Sequence, residues 1–120
     1  MLAAGYLLIL LAAILETEPE PGATPVEVQF DGPASCSSAK AFFASLRSRT
    51  THVRTAEGDE ARTTLQVRLT RDRARIVGEL RTIDDSGATD VRRVQGTSCE
   101  DVVQALSLTA ALALDPTAML

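Results

Sequence analysis

The 120-residue chain has no tryptophan, and aromatic residues make up only 3% of it. Val, Leu, Ile and Ala must therefore fill whatever interior it builds. No aromatic residues interleave with its arginines, so the stacking platforms that hold single-stranded nucleic acid are missing. Nucleic acid is not an expected partner. Histidine occurs only as His52 and cysteine only as Cys36 and Cys99. That set makes no convincing zinc site, the acidic residues lack the D-x-D-x-D-G calcium pattern, and Gly32 and Gly96 form no phosphate-cradling loop. No metal or cofactor is expected, and Asp84, Asp85 and Asp90 read as turn residues. Lysine occurs only as Lys40; every other basic side chain is arginine, a bias that suits a GC-rich genome. The net charge of −4 overstates the acidity of the folded part. Of the 16 acidic residues Glu16, Glu18 and Glu20 precede it, and without them the balance against 12 basic residues is close to neutral. No general attraction to anionic surfaces follows.

The first residues are of another kind. Residues 2–15 form an uncharged apolar run, LAAGYLLILLAAIL. At about 14 residues it is short of the roughly 20 that cross a bilayer and matches the apolar region of a signal peptide. A basic leader segment and an A-x-A cleavage site are both absent, so residues 1–15 are expected to be a signal peptide or a membrane anchor. Residues 16–25, with Pro19 and Pro21 among acidic side chains, read as an extended linker. Residues 26–116 have the length of one small domain, and 117–120 read as a tail and a possible truncation point. A domain under roughly 100 residues buries about 60–65% of its unfolded surface, so its core is marginal.

Two short stretches echo one another, Gly32-Pro33-Ala34-Ser35-Cys36 and Gly96-Thr97-Ser98-Cys99. Each follows a β-like run and opens an apolar helical one. Before the first, Val26, Val28 and Phe30 alternate with Glu27 and Gln29. After it, Ala39, Phe42, Phe43 and Leu46 mark a helical face, with Ser35 as the expected N-cap and an end near Arg49. A weak strand over 51–56 and the turn 57–60 follow. Leu65, Val67 and Leu69 then face inward from a clearer strand, and Arg71-Asp72-Arg73 makes a tight hairpin. On the next strand Ile76, Gly78 and Leu80 face in; Val77 and Ile83 have the wrong parity, which predicts partial cover of the other face or a bulge near Gly78. Asp84-Asp85-Ser86-Gly87 is the strongest hairpin signal. Residues 88–95 carry Val91 and Val94 on opposite parities and predict an irregular edge strand. Ser98 with Asp101 is a capping-box variant opening an apolar helix that ends at Asp115-Pro116 and is expected to be deeply buried. The fold class is α+β in the order β-α-β-β-β-β-α: a mainly antiparallel sheet with two helices on one face.

If Cys36 and Cys99 pair, one disulfide joins the two helix starts. It would close a loop of about 60 residues and contribute about 4 kcal/mol by the chain-entropy argument. Disulfides persist outside the reducing cytoplasm, in agreement with the leader. The alternatives are a redox or catalytic cysteine, activated by a helix N-terminus, and free thiols or a bridge between chains. A widely separated pair does not match the C-x-x-C of redox proteins. His52 with a cysteine and Asp31 or Asp101 would make a nucleophile pair, though a solvent-facing strand residue is the simpler reading. Arg68, Arg75 and Arg81, with Arg92 or Arg93, face out and define a stripe for an anionic partner such as a lipid headgroup or cell-wall fragment. The plainer reading is a solvated face of cross-strand ion pairs with Glu79.

Gly96, Ser98, Cys99, Val102 or Val103, Ala105, Leu106, Leu108, Ala111, Leu112, Ala113, Asp115 and Pro116 together resemble a motif of small exported domains in uncharacterised cell-envelope proteins of myxobacteria. In some of those an outer-membrane-barrel-like region follows. The element order also looks like the N-terminal domain of TolB-type envelope proteins. These resemblances imply a periplasmic or outer-envelope location and carry no catalytic residues. The expected function is a non-enzymatic accessory or interaction module binding an envelope protein or anionic envelope component, with membrane contact through an uncut leader. The alternatives are a thiol-dependent redox enzyme using Cys36 or Cys99, and an anionic lipid or cell-wall binder working through its arginines.

Overall fold

A computed structural model describes residues 22–118. The expected leader and most of the linker lie outside them, as do the last two residues of the tail. The elements are β1 (Thr24–Asp31), α1 (Ala39–Arg47), β2 (Val53–Thr55), β3 (Thr63–Asp72), β4 (Arg75–Ile83), β5 (Thr89–Gly96) and α2 (Cys99–Leu114). The class and element order are those expected from the sequence. The five strands form one mixed sheet ordered β2-β1-β3-β4-β5. β1 pairs in parallel with β2, to which the α1 crossover returns the chain in the same direction, and with β3, to which the 56–62 connection carries it past β1. The long pairings β3–β4 and β4–β5 are antiparallel hairpins.

Alternation places one apolar row from each strand under the helices. Val26, Leu65, Val67, Leu69, Ile76 and Leu80 meet Phe42 and Leu46 of α1 and Val102, Val103, Leu106, Ala110 and Ala111 of α2 in a single core. Both helices therefore lie on one face, and the other face is open to solvent. Ser38, not Ser35, caps α1: its side chain accepts from the Ala41 N–H at 3.0 Å. Residues 34–36 form a turn instead, so Cys36 precedes the helix and only Cys99 begins one. Ser98 caps α2 as expected, accepting from the Asp101 N–H at 3.1 Å.

Three further expectations are corrected. Of the two readings of Val77 and Ile83 the bulge is excluded, since the register of β4 runs unbroken through Gly78 on both sides, while both side chains are half-buried as partial cover requires. Gly78 is there because α2 comes so close: a Cβ would lie 2.5 Å from Val102 Cγ1 and 2.8 Å from Leu106 Cδ1. β5 is regular, with Val94 turned towards the core and Val91 to the open face, 42% exposed. α2 is buried along one stripe only, and Leu112 on its outer side is 38% exposed. Among the described residues there is a single helical layer, and none of them covers that side. The turn 84–87 forms as expected: Asp84 Oδ1 accepts from the Ser86 and Ala88 N–H groups, and Gly87 takes φ 89°.

Candidate functional site

The open face is an ordered array of charge. One row of the register runs Asp31, Arg68, Glu79, Arg93 across four strands, with charges alternating at every step. Arg68 Nε stands 3.3 Å from Asp31 Oδ2, and Arg93 Nε donates to Glu79 Oε2 at 3.1 Å. The neighbouring row is Gln29, Gln66, Arg81 and Val91. Gln66 Nε2 donates to Gln29 Oε1, and Gln29 Nε2 to Glu27 Oε2. Glu27 also accepts from Arg62 Nη1 at 2.8 Å. The Gln29 and Arg62 hydrogen bonds hold the Glu27 carboxyl below its ordinary pKa. A shallow depression of about 220 Å³ over these rows brings Arg68 and Arg81 together with Asp31, Gln66 and Glu79.

Of the arginines singled out in the sequence, Arg68, Arg75 and Arg81 lie on this face, Arg75 at its end donating to Gln95 Oε1 at 3.3 Å. Arg92 does not. It pairs in register with the buried Leu80, projects to the helix side and is ion-paired to Asp90 at 2.9 Å. Arg93 occupies the open-face position instead. Val94 faces the core, and its parity puts Arg92 on the helix side and Arg93 on the open face.

Cys36 and Cys99 form a disulfide with a Cα–Cα distance of 5.3 Å across a sequence separation of 63. It ties the turn after β1 to the first residue of α2. Both cysteines are partly buried against the core.

At the far end of α2 lies a polar cluster that sequence reasoning missed. Asp115 is buried, and its Oδ2 accepts from Thr50 Oγ1 at 2.7 Å while Oδ1 accepts from the Thr117 N–H and hydroxyl at 3.0 and 2.7 Å. These bonds, that of the Thr117 hydroxyl foremost, hold its carboxyl below the ordinary aspartate range. His52 Nε2 is 3.7 Å from Asp115 Oδ2. The partner of His52 is therefore Asp115, neither Asp31 nor Asp101. α2 is 16 residues long, so about 24 Å separates this end from Cys99. No Cys–His nucleophile pair is assembled. The Thr50 and Thr117 hydroxyls donate their hydrogen bonds to the carboxylate, so neither donates to His52 as an activated nucleophile would. The cluster acts as a pin between the end of α1 and the end of α2. About two turns of helix away, fully buried Ser107 accepts from Ser45 Oγ at 2.9 Å and Arg49 Nε at 3.2 Å and donates to the Gln104 carbonyl.

Among the described residues no group of three His, Cys, Asp or Glu side chains could hold a metal ion, and no helix is long and apolar enough to cross a membrane. No protein-family model matches this chain, and a search of curated proteins finds no match.

Proposed function

We propose that this chain is a non-enzymatic interaction module of the periplasm or outer envelope, clasped by its disulfide and docking a partner protein through sheet edge and open face. The disulfide supports the compartment, since such bonds persist where the surroundings are oxidising and not cytoplasmic. The observation that carries the reading is β5. It is a regular edge strand of 8 residues, paired on one side only and exposed over most of its length, with Val91 on the open face. An edge of that length offers a partner backbone a row of donors and acceptors. Reading the open face as an anion site has less support, because Arg68 and Arg93 already face carboxylates in the alternating row.

A photo-crosslinking side chain placed at Val91 in the cells that make the protein tests the proposal. A discrete protein adduct is expected from Val91 and none from Arg73 on the opposite hairpin. The absence of any adduct from β5 or from the open face would contradict it.

A further inference from the structure

β2 ends after 3 residues, and no other strand among the described residues pairs along the lane it leaves beside β1. The Thr24 N–H donates to the His52 carbonyl at 2.8 Å, and the Ala56 N–H to the Val26 carbonyl at 3.0 Å. The even-numbered residues of β1 thus turn their peptide groups towards β2. The last register pair on that side is Val26 with Thr55. Peptide groups along a strand repeat their direction every second residue, so the N–H and C=O of Val28 and Phe30 point into the lane beyond Thr55. No strand among the described residues pairs with them there. The other side of β1 continues in register with β3 as far as Asp31.

The lane has a floor. A groove of about 440 Å³ runs between β1 and α1, lined by Val28, Ala39, Phe43 and Ala56, with Lys40 and Arg62 on its rim. Val28 and Phe43 are partly buried apolar side chains packed on the core. Arg62 is engaged with Glu27 and with the Gly58 carbonyl. Lys40 is exposed, and its side chain forms no ion pair or hydrogen bond among the described residues.

We infer that this lane accepts an extended, acid-bearing segment of a partner protein as an added strand beside β1. Two donors and two acceptors, spaced by one intervening residue along a strand, are matched by another extended backbone and not by a helix or a compact ligand. The groove takes one apolar side chain from that segment, and Lys40 favours a carboxylate beside it. About four residues, roughly 13 Å of strand, fill the lane. The β5 edge of a second copy is a poor occupant, since it would bring Arg92 and Arg93 towards Lys40. The inference rests on reading the domain as an interaction module, but it concerns the edge opposite β5.

The probe is a blocked pentapeptide of alternating Val and Glu, added to isotopically labelled full chain. Amide hydrogen exchange at Val28 and Phe30 is expected to be fast in the free protein and at least five-fold slower at saturating probe. The same peptide with Lys for Glu, or N-methylated at alternate residues, binds at least five-fold more weakly, and Lys40→Glu reverses the preference between the Glu and Lys peptides. Unchanged exchange at Val28 and Phe30 with millimolar probe overturns the inference. So does slow exchange in the dilute free protein, which would mean the chain covers its own lane. Protection that rises with protein concentration alone also overturns it, by assigning the lane to a second copy. Binding mapped only to Val91 removes the lane while leaving the module reading intact, whereas the loss of both this binding and the Val91 crosslink removes both.

Discussion

Gly78 of β4 and Val102 of α2 pack directly against one another: a Cβ built on the glycine would stand 2.5 Å from Val102 Cγ1. The helix lies this close because Gly78 has no side chain. Gly78→Ala is therefore expected to destabilise the domain by about 2 kcal/mol, in the range for overpacked cores. Chemical denaturation measures it. An unchanged midpoint would mean that α2 sits further from the sheet.

Ser107 is a buried hydroxyl with all its hydrogen-bonding capacity in use, binding Ser45, Arg49 and the Gln104 carbonyl. Ser107→Ala leaves the Ser45 hydroxyl and the Arg49 Nε without this acceptor. A loss of about 1 kcal/mol is expected, and Ser45→Ala added to it should cost little more. A double-mutant cycle by denaturation reads the coupling. Independent, additive losses would contradict the bond.

Acid should weaken the fold through Asp115. Its carboxyl is held below the ordinary range by Thr117 and Thr50, so the unfolded chain takes up the proton more readily than the folded one. The stabilisation is complete above the unfolded pKa, near pH 4, and is lost as pH falls through the folded value. Glu27 and Asp84 are lowered for similar reasons and act in the same direction. Thermal unfolding of Asp115→Asn should show a shallower decline than the parent protein between about pH 5 and pH 2. A parallel decline would dissociate Asp115 from acid unfolding.

The alternating row on the open face should add little stability. Arg68 and Asp31 are well exposed, and solvent screens their attraction. Arg68→Ala is expected to change the unfolding free energy by less than about 1 kcal/mol, with the difference vanishing in high salt. A larger loss, resistant to salt, would show that the row is a structural device.

The parts of the fold legible in the sequence were those governed by alternation and capping. Leu65, Val67 and Leu69 on β3 give a strict period of two, the 84–87 turn carries its own Asp and Gly, and Ser98 announces α2. The parallel pairing of β1 with β3 left no local trace, because it depends on which side of β1 the 56–62 connection crosses. Gly78 was misread because a bulge and a close-packed helix leave the same glycine in a strand pattern. Arg92 and Arg93 differ only in parity, which Val91 and Val94 leave ambiguous. The Asp115 pin joins residues more than 60 positions apart. Sequence order alone carries no signal for it, although Asp115 was visible as the end of α2.

The central claim is a domain held closed by the Cys36–Cys99 bond in an oxidising compartment, and counting alkylatable thiols tests it most directly. The protein is taken from its producing cells without reductant, denatured, alkylated and weighed by mass spectrometry. The account predicts no modified cysteine until reductant is added, with two modified thereafter and a loss of about 4 kcal/mol in stability on reduction. Two cysteines modified from the outset would contradict it.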